Sequence, residues 1–309
     1  MTLVTEFILL GFMFSSHRAE IYFFYIILFI YFCTLAGNLL ILALVFSDQR
    51  LRSPMYFFLS NLSFLDICFI NITVPKMLQS LLPGGKTISL VACLAQSFLF
   101  FLVGVSNFLL LAVMSFDRYV AICHPLRYSI IMHQQLCVRL MFGIWMGAFF
   151  SIVTSATGMM RLSYCSSVLN HFFCDVMPLL MNACVNTDAI QLQEVITSSI
   201  MLLSSLLIVF VSYGKILKAI LKIHSTQGRQ KAFSTCSSHA LVVLLAYGSC
   251  IFTYVRPAQG QSSDYNKKVA ILTTVVVPLL NPYIYTLRNQ RVREILRENL
   301  TKSAILKKL

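Results

Sequence analysis

The sequence predicts an all-α membrane protein, a seven-transmembrane helix bundle followed by a short amphipathic C-terminal helix. Three observations carry this expectation. Of 309 residues, 58% are hydrophobic and 11% charged, at a mean hydropathy of +0.80. Soluble domains use roughly 25% charged residues to cover a wetted surface, so this chain is not one of them. Seven long apolar segments stand near 21–46, 55–80, 90–123, 138–160, 191–219, 232–257 and 267–289, each reaching the about 20 residues that span a bilayer. Finally, the net charge of +13 is one-sided. With the N-terminus outside, the inner side holds 17 basic and four acidic residues, against seven and six outside. The positive-inside rule fixes that orientation. Backbone groups in lipid must be satisfied within each segment, which makes these helices; the alternation of a membrane barrel is missing.

The chain reads as one domain, 1–309, without internal repeat or Pro/Gly-rich linker. Residues 1–20 form the outer N-terminus. They lack a basic start, and Phe7–Phe14 is too short for a signal-peptide core, so the first helix is expected to act as the insertion signal. That helix carries Gly37-Asn38. The second carries Asp66, the one acid expected at mid-membrane depth, and such a residue is a functional hypothesis by default. Ion binding and a hydrogen-bonded hub with Asn38 and Asn281 compete; the hub is preferred, because no second carboxylate appears nearby in the third segment.

In the third segment Phe100, Phe101, Gly104, Val105 and Phe108 fall at helical offsets and share a face. Arg118 lies 14 residues past Gly104, on nearly the same face and about 21 Å deeper. Asp117-Arg118-Tyr119 closes this helix just before Cys123-His124-Pro125, where proline marks its end. An ion pair there could hold a bundle closed until a partner arrives; a plain interfacial charge is the alternative. In the fourth segment Gly143-x-x-x-Gly147 suits close packing within the chain.

Residues 161–190 form a long outer loop with Cys165, Cys174 and Cys184, while Cys93 opens the third helix on the same side. These four face an oxidising compartment, and four cysteines allow three pairings. His171, Cys174 and Asp175 are metal-ligand types, but loop packing is the preferred reading, since a disulfide-bonded cysteine cannot ligate as thiolate. The fifth segment supplies Thr197, Ser198, Met201 and Tyr213. The sixth has Lys231 and His239 at its inner end, and Tyr247, Cys250, Ile251 and Tyr254 at offsets of zero, three, four and seven. The seventh contains Thr274, Pro278 and Asn281-Pro282-x-x-Tyr285, where proline frees a backbone carbonyl and permits a kink. In the cytoplasmic tail, 290–309, Val292, Ile295 and Leu296 repeat at helical spacing among arginines, the pattern of a helix lying on the inner membrane surface.

No catalytic motif appears: no His-Glu-x-x-His, paired Cys-x-x-Cys, Gly-x-Ser-x-Gly or phosphate loop. The chain is therefore not expected to be an enzyme or to need a cofactor. Its basic side suits membrane lipid or an acidic cytoplasmic partner, and nucleic acid is not expected. A transporter or channel would show matching halves and several ionisable groups at depth, and neither is present.

Several long runs together carry a resemblance. They are Pro54-Met55-Tyr56-Phe57-Phe58-Leu59-Ser60-Asn61-Leu62-Ser63-Phe64-Leu65-Asp66, Met114 through Tyr128 (around Asp117-Arg118-Tyr119), Ser212-Tyr213, Lys231 through His239, and Pro278 through Tyr285, with Gly37-Asn38. In this order they resemble odorant receptors of the rhodopsin-like G-protein-coupled family over nearly the full chain. The resemblance implies a bundle that binds a small volatile odorant outside and activates a stimulatory heterotrimeric G protein inside, raising cyclic AMP. It implies disulfides pairing Cys93 with Cys174 and Cys165 with Cys184. Activation roles would fall on Asp117, Arg118, Tyr119, Tyr213, Lys231, His239, Asn281, Pro282 and Tyr285. The site would be the plasma membrane, in cilia of olfactory sensory neurons, with trafficking helper proteins as partners. A non-olfactory chemoreceptor of the same fold is the alternative. The sequence departs from the family in lacking an N-terminal glycosylation sequon, in Asn107 where an acid is usual, in a Cys165–Cys174 spacing one residue short, and in Arg52-Ser53. The outer-half walls named above, with hydroxyls at Thr197, Ser198, Tyr254 and Thr274, predict a neutral, mostly hydrophobic ligand.

Overall fold

A computed structural model describes residues 4–223, 225–254, 263–288 and 291–298. Ten helices are assigned within them: α1 (His17–Ser47), α2 (Pro54–Ser80), α3 (Leu90–Cys123), α4 (Tyr128–Ile131), α5 (Gln134–Met160), α6 (Val176–Met181), α7 (Asp188–Leu221), α8 (Thr226–Tyr254), α9 (Ser263–Ile271) and α10 (Val277–Arg288). Residues 291–298 are also helical. Among the described residues six stretches are long and apolar enough to cross a membrane: α1, α2, α3, α5, α7 and Lys267–Thr286. In α8 the apolar run is shorter, His239–Ser249.

Helix ends follow capping chemistry. Ser16 and Ser89 cap α1 and α3 by accepting from the backbone N–H groups of Ala19 and Ala92. Pro54 opens α2, where its missing N–H costs nothing, and Pro125 follows the end of α3. The segment 90–123 coincides with α3, whereas α1, α5, α7 and α8 begin three to six residues before the apolar segments do. Those extra turns are polar, and hydropathy does not register them.

Three features were not anticipated. Glu6–Leu9 forms strand β1, antiparallel to β2 (Thr87–Ser89) and parallel to β3 (Val168–Leu169), in the order β2-β1-β3. Phe7 and Leu9 are buried under it among Cys93, Tyr164 and Cys174. A π-helical turn at Leu272–Val276 separates α9 from α10. It immediately precedes Val277-Pro278, where a proline cannot donate to the carbonyl four residues back. Lastly, the Arg50 guanidinium bridges Asp48 and Glu298, at 2.7 Å to each, joining the α1–α2 turn to helix 291–298.

The main core lies where α2 and α3 meet α5, α7 and α8. Fully buried Phe58, Leu65 and Leu110 sit within it. α2 is the most enclosed of the spans, which explains why Asp66 can be wholly buried there.

Candidate functional site

At one end of α3, Arg118 and Asp117 are both buried and form an ion pair, with Arg118 Nε donating to Asp117 Oδ2 at 3.1 Å and Nη2 donating to the same oxygen. The other carboxylate oxygen accepts from the Tyr128 hydroxyl at 2.7 Å. Tyr128 reaches back because the Pro125–Arg127 turn reverses the chain after α3. A pair so desolvated holds only if its remaining hydrogen-bonding positions are filled, and Tyr128 fills one. Neighbouring Tyr119 bonds His124 Nε2 at 3.1 Å and takes the Lys215 ammonium over its ring at 5.1 Å. Across the same end, the Tyr213 hydroxyl and His239 Nδ1 are 2.7 Å apart with parallel rings, joining α7 to α8. The hydroxyl of buried Tyr285 has no hydrogen-bond partner among the described residues. The Lys231 side chain lies outside the described residues.

Midway along the bundle, Asn281 Nδ2 donates to Asp66 Oδ2 at 2.8 Å. The Asn38 part of the expected hub is corrected: its amide donates to Thr34 O (3.0 Å) and Pro278 O (3.4 Å), with no bond to Asp66. The reason is Pro282, which has no N–H to offer the Pro278 carbonyl four residues earlier, so a side chain from α1 substitutes. The helices approach closely because residue 37 is glycine: a Cβ there would stand 2.9 Å from Pro282 Cγ.

At the opposite end, disulfides join Cys93 to Cys174 and Cys165 to Cys184. Gln96, which the sequence did not single out, ties the loop down. Its Nε2 donates to Ile72 O at 2.7 Å and its Oε1 accepts from Cys174 N at 3.0 Å. A glutamine one turn after Cys93 is a visible signal only once the disulfide is known. His171 stacks on Phe172 and meets Phe173 edge-on, with Nδ1 accepting from Phe173 N. Burial pushes its imidazole down to about 3, reinforced by the Lys267 charge. Burial raises Asp175 to about 6, against the bond it accepts from Val176 N. No group of three metal-ligand side chains occurs among the described residues.

The α3 stripe divides among neighbours. Phe100 stacks on Phe69 at 4.8 Å and meets Phe173 at a tilt at 4.5 Å, so it faces α2 and the loop, and Gly104 also lies against Phe69. Phe101 packs with Met159, Val176 and Leu180. Phe108 does meet α8: Tyr247 lies edge-on to it at 5.1 Å and donates to its carbonyl at 3.2 Å. Val105, Thr197 and Met201 are half-buried and Ser198 is exposed. Thr274 is buried with its hydroxyl on Ala270 O at 2.7 Å. The side chains of Cys250, Ile251 and Tyr254 lie outside the described residues.

Comparison with known proteins gives a consistent picture. The family profile described as olfactory receptor matches residues 27–303. Olfactory receptor 6E1 of Mus musculus is 47% identical over 303 residues, covering 97% of this chain and 96% of that receptor. Olfactory receptor 6S1 of Homo sapiens is 47% identical over 300 residues, 96% of this chain and 90% of its own. Squid rhodopsin, at 18% identity, superposes with a TM-score of 0.72 over 93% of this chain and 82% of that one, which shows the fold. This is a receptor family and not an enzyme family. The chain is thus a multi-pass, all-α membrane protein that belongs to the olfactory receptor family of rhodopsin-like G-protein-coupled receptors.

Proposed function

We propose that this chain binds small, mostly hydrophobic volatile odorants in the outer half of its bundle and activates a stimulatory heterotrimeric G protein of olfactory type, raising cyclic AMP. The observation that carries the reading is the buried Asp117–Arg118–Tyr128 cluster at the end of α3, remote from the disulfide-tied loop, in a chain of this family. The single domain crosses the membrane seven times, α8 supplying the sixth crossing, and residues 291–298 lie on the inner surface as a short amphipathic helix. Residues 1–20 and 161–190 are outside and 290–309 inside, in the plasma membrane of olfactory cilia, reached with trafficking helpers.

In this reading Phe108 and Tyr247 floor the ligand cavity. Phe101, Gly104, Val105, Thr197, Ser198, Met201, Cys250, Ile251, Tyr254 and Thr274 line its walls, and Phe100 acts through Phe173. Odorant must bind the open bundle better than the closed one. Opening separates Tyr213 from His239 and releases Arg118 from Asp117. A G-protein helix then enters a basic cavity bordered by Arg118, Tyr119, Lys231, His239 and Tyr285. Asn38, Asp66, Asn281 and Pro282 let α10 shift during that change. The test is cyclic AMP in cells expressing the chain with a stimulatory G protein, screened against neutral volatiles with surface staining in parallel. A ligand-dependent rise that Arg118→Ala abolishes at equal surface level supports the assignment; an undiminished Arg118→Ala response removes Arg118 from it.

A further inference from the structure

A cavity of about 240 Å³ opens on the lipid-facing flank of the bundle between α3 and α7, near the Asp117–Arg118 end. Phe116 and Tyr119 form one wall; Leu207, Ile208, Val211, Ser212 and Lys215 form the other. Leu207, Ile208 and Val211 are all roughly half exposed or more, so the cavity faces the bilayer and not the bundle axis. Its polarity changes along its length. Leu207, Ile208, Val211 and Lys215 fall at offsets of zero, one, four and eight on one face of α7, and Lys218 and Lys222 continue that face. An apolar trough about 12 Å long therefore ends at a row of three lysines. Gly214 leaves open space beside Lys215, where a Cβ would meet nothing within 4 Å. Lys215 reaches back over the Tyr119 ring, which places its ammonium at the mouth of the trough.

We infer that this trough binds one anionic membrane phospholipid, with an acyl chain between α3 and α7 and its phosphate-bearing headgroup on Lys215 and Lys218. The chemistry selects this occupant. A sterol fits an apolar groove without needing ammonium groups at its end, and a zwitterionic lipid cancels most of their attraction, whereas an anionic headgroup matches them. The cavity is also below the range of small-molecule pockets, about 300 Å³ and upward, but suits a single flexible chain. Because Lys215 contacts Tyr119, next to the Asp117–Arg118 pair, the lipid borders the element on which the proposed activation depends. The inference rests on the chain spanning a membrane and not on its orientation.

The test uses the purified full-length receptor in nanodiscs, whose two leaflets have the same composition, so either orientation exposes the trough to lipid. Photoreactive phosphatidylserine with a mid-chain diazirine is compared with phosphatidylcholine carrying the same chain, and adducts are mapped by peptide mass spectrometry. Phosphatidylserine adducts are expected on Phe116–Tyr119 and Leu207–Val211. Lys215→Ala should lower them about fivefold, the effect of the ~1 kcal/mol that one lysine contributes near a membrane surface. Lys215→Arg should retain them, and Val211→Trp, which fills the trough, should remove them. Equal labelling by both lipids, adducts located elsewhere, or displacement of phosphatidylserine by cholesterol would overturn the inference. Since no G protein or odorant is used, the result is independent of whether the chain signals.

Discussion

Replacing Gly37 by alanine tests the contact on which α10 depends. The new Cβ would sit 2.9 Å from Pro282 Cγ and 3.1 Å from its Cβ, against the 3.5–4.0 Å of a relaxed carbon contact. The proline ring is rigid and part of α10, so the helices must separate by roughly 0.5–1 Å. The Asn38 bond to Pro278 O is already 3.4 Å long, and that separation breaks it. Overpacking costs about 1–3 kcal/mol, and a buried carbonyl left without a donor adds about 1–3 kcal/mol. Over 309 residues, the combined cost of about 2–6 kcal/mol, a sum of those two rough costs, corresponds to a fall in melting temperature of about 3–9 °C. Purified receptor melted in detergent gives the readout. Pro282→Ala supplies the control, because it removes the ring that the alanine strikes and restores an N–H to Pro278 O. The double variant should therefore be less destabilised than the sum of the singles, by at least about 1 kcal/mol. An unchanged melting temperature for Gly37→Ala, or strict additivity with Pro282→Ala, would refute the packing argument.

Other expectations follow from the two ends of the bundle. Tyr128→Phe removes a hydrogen bond to the Asp117 carboxylate, worth about 1.5–3 kcal/mol, and should raise ligand-free cyclic AMP at equal surface level; a basal signal at or below wild type counts against the closed-state role of this cluster. Gln96→Leu strands the Cys174 N–H and the Ile72 carbonyl, and should lower stability by about 2–4 kcal/mol, read as a lower melting temperature with both disulfides intact. The loop should also show compensating pH responses. His171 is held down at about 3, so its contribution is complete above an ordinary histidine value and is lost as pH falls, by about 2 kcal/mol between pH 7 and 5. Asp175 is held up at about 6, so its protonation on the same acidification restores about 1 kcal/mol. Wild type should therefore lose only about 1 kcal/mol between pH 7 and 5, while His171→Asn should gain stability on acidification and Asp175→Asn should lose about twice as much as wild type; identical profiles for all three would dismiss both assignments.

Legibility in the sequence varied with the kind of signal. The α3 segment was readable to the residue because a serine cap and a proline stop bracket an unbroken apolar run. The start of α8 was not, since its first turns from Thr226 are polar. The strands, of two to four residues, are too brief for any periodicity to show, and their pairing joins segments about 80 residues apart or more. Periodicity placed Phe100 and Phe108 on one stripe but could not say that Phe69 and Phe173 would claim the first while Tyr247 took the second. That outcome depends on neighbours from other elements. Asn38 and Asn281 were singled out as polar groups at depth, and Asn281 does bond Asp66, yet the partner of Asn38 followed from the N–H that Pro282 lacks, which is a matter of backbone accounting and not of hydropathy.

The small sheet has a consequence for synthesis. β1 holds the central place, and its Ile8 is paired with Val168, which the ribosome makes 160 residues later. At about 5–20 residues per second, roughly 8–30 s pass before that partner exists. Until then Phe7 and Leu9 lack the part of their cover that Tyr164, Leu169 and Cys174 supply, and must be kept from other apolar surfaces. The first strand made is thus among the last to dock, and its arrival reports that the loop beyond α5 has been threaded to the correct side. A bulky tag fused directly before Glu6 would act on this late closure, slowing maturation of the newborn chain more than it alters the finished one.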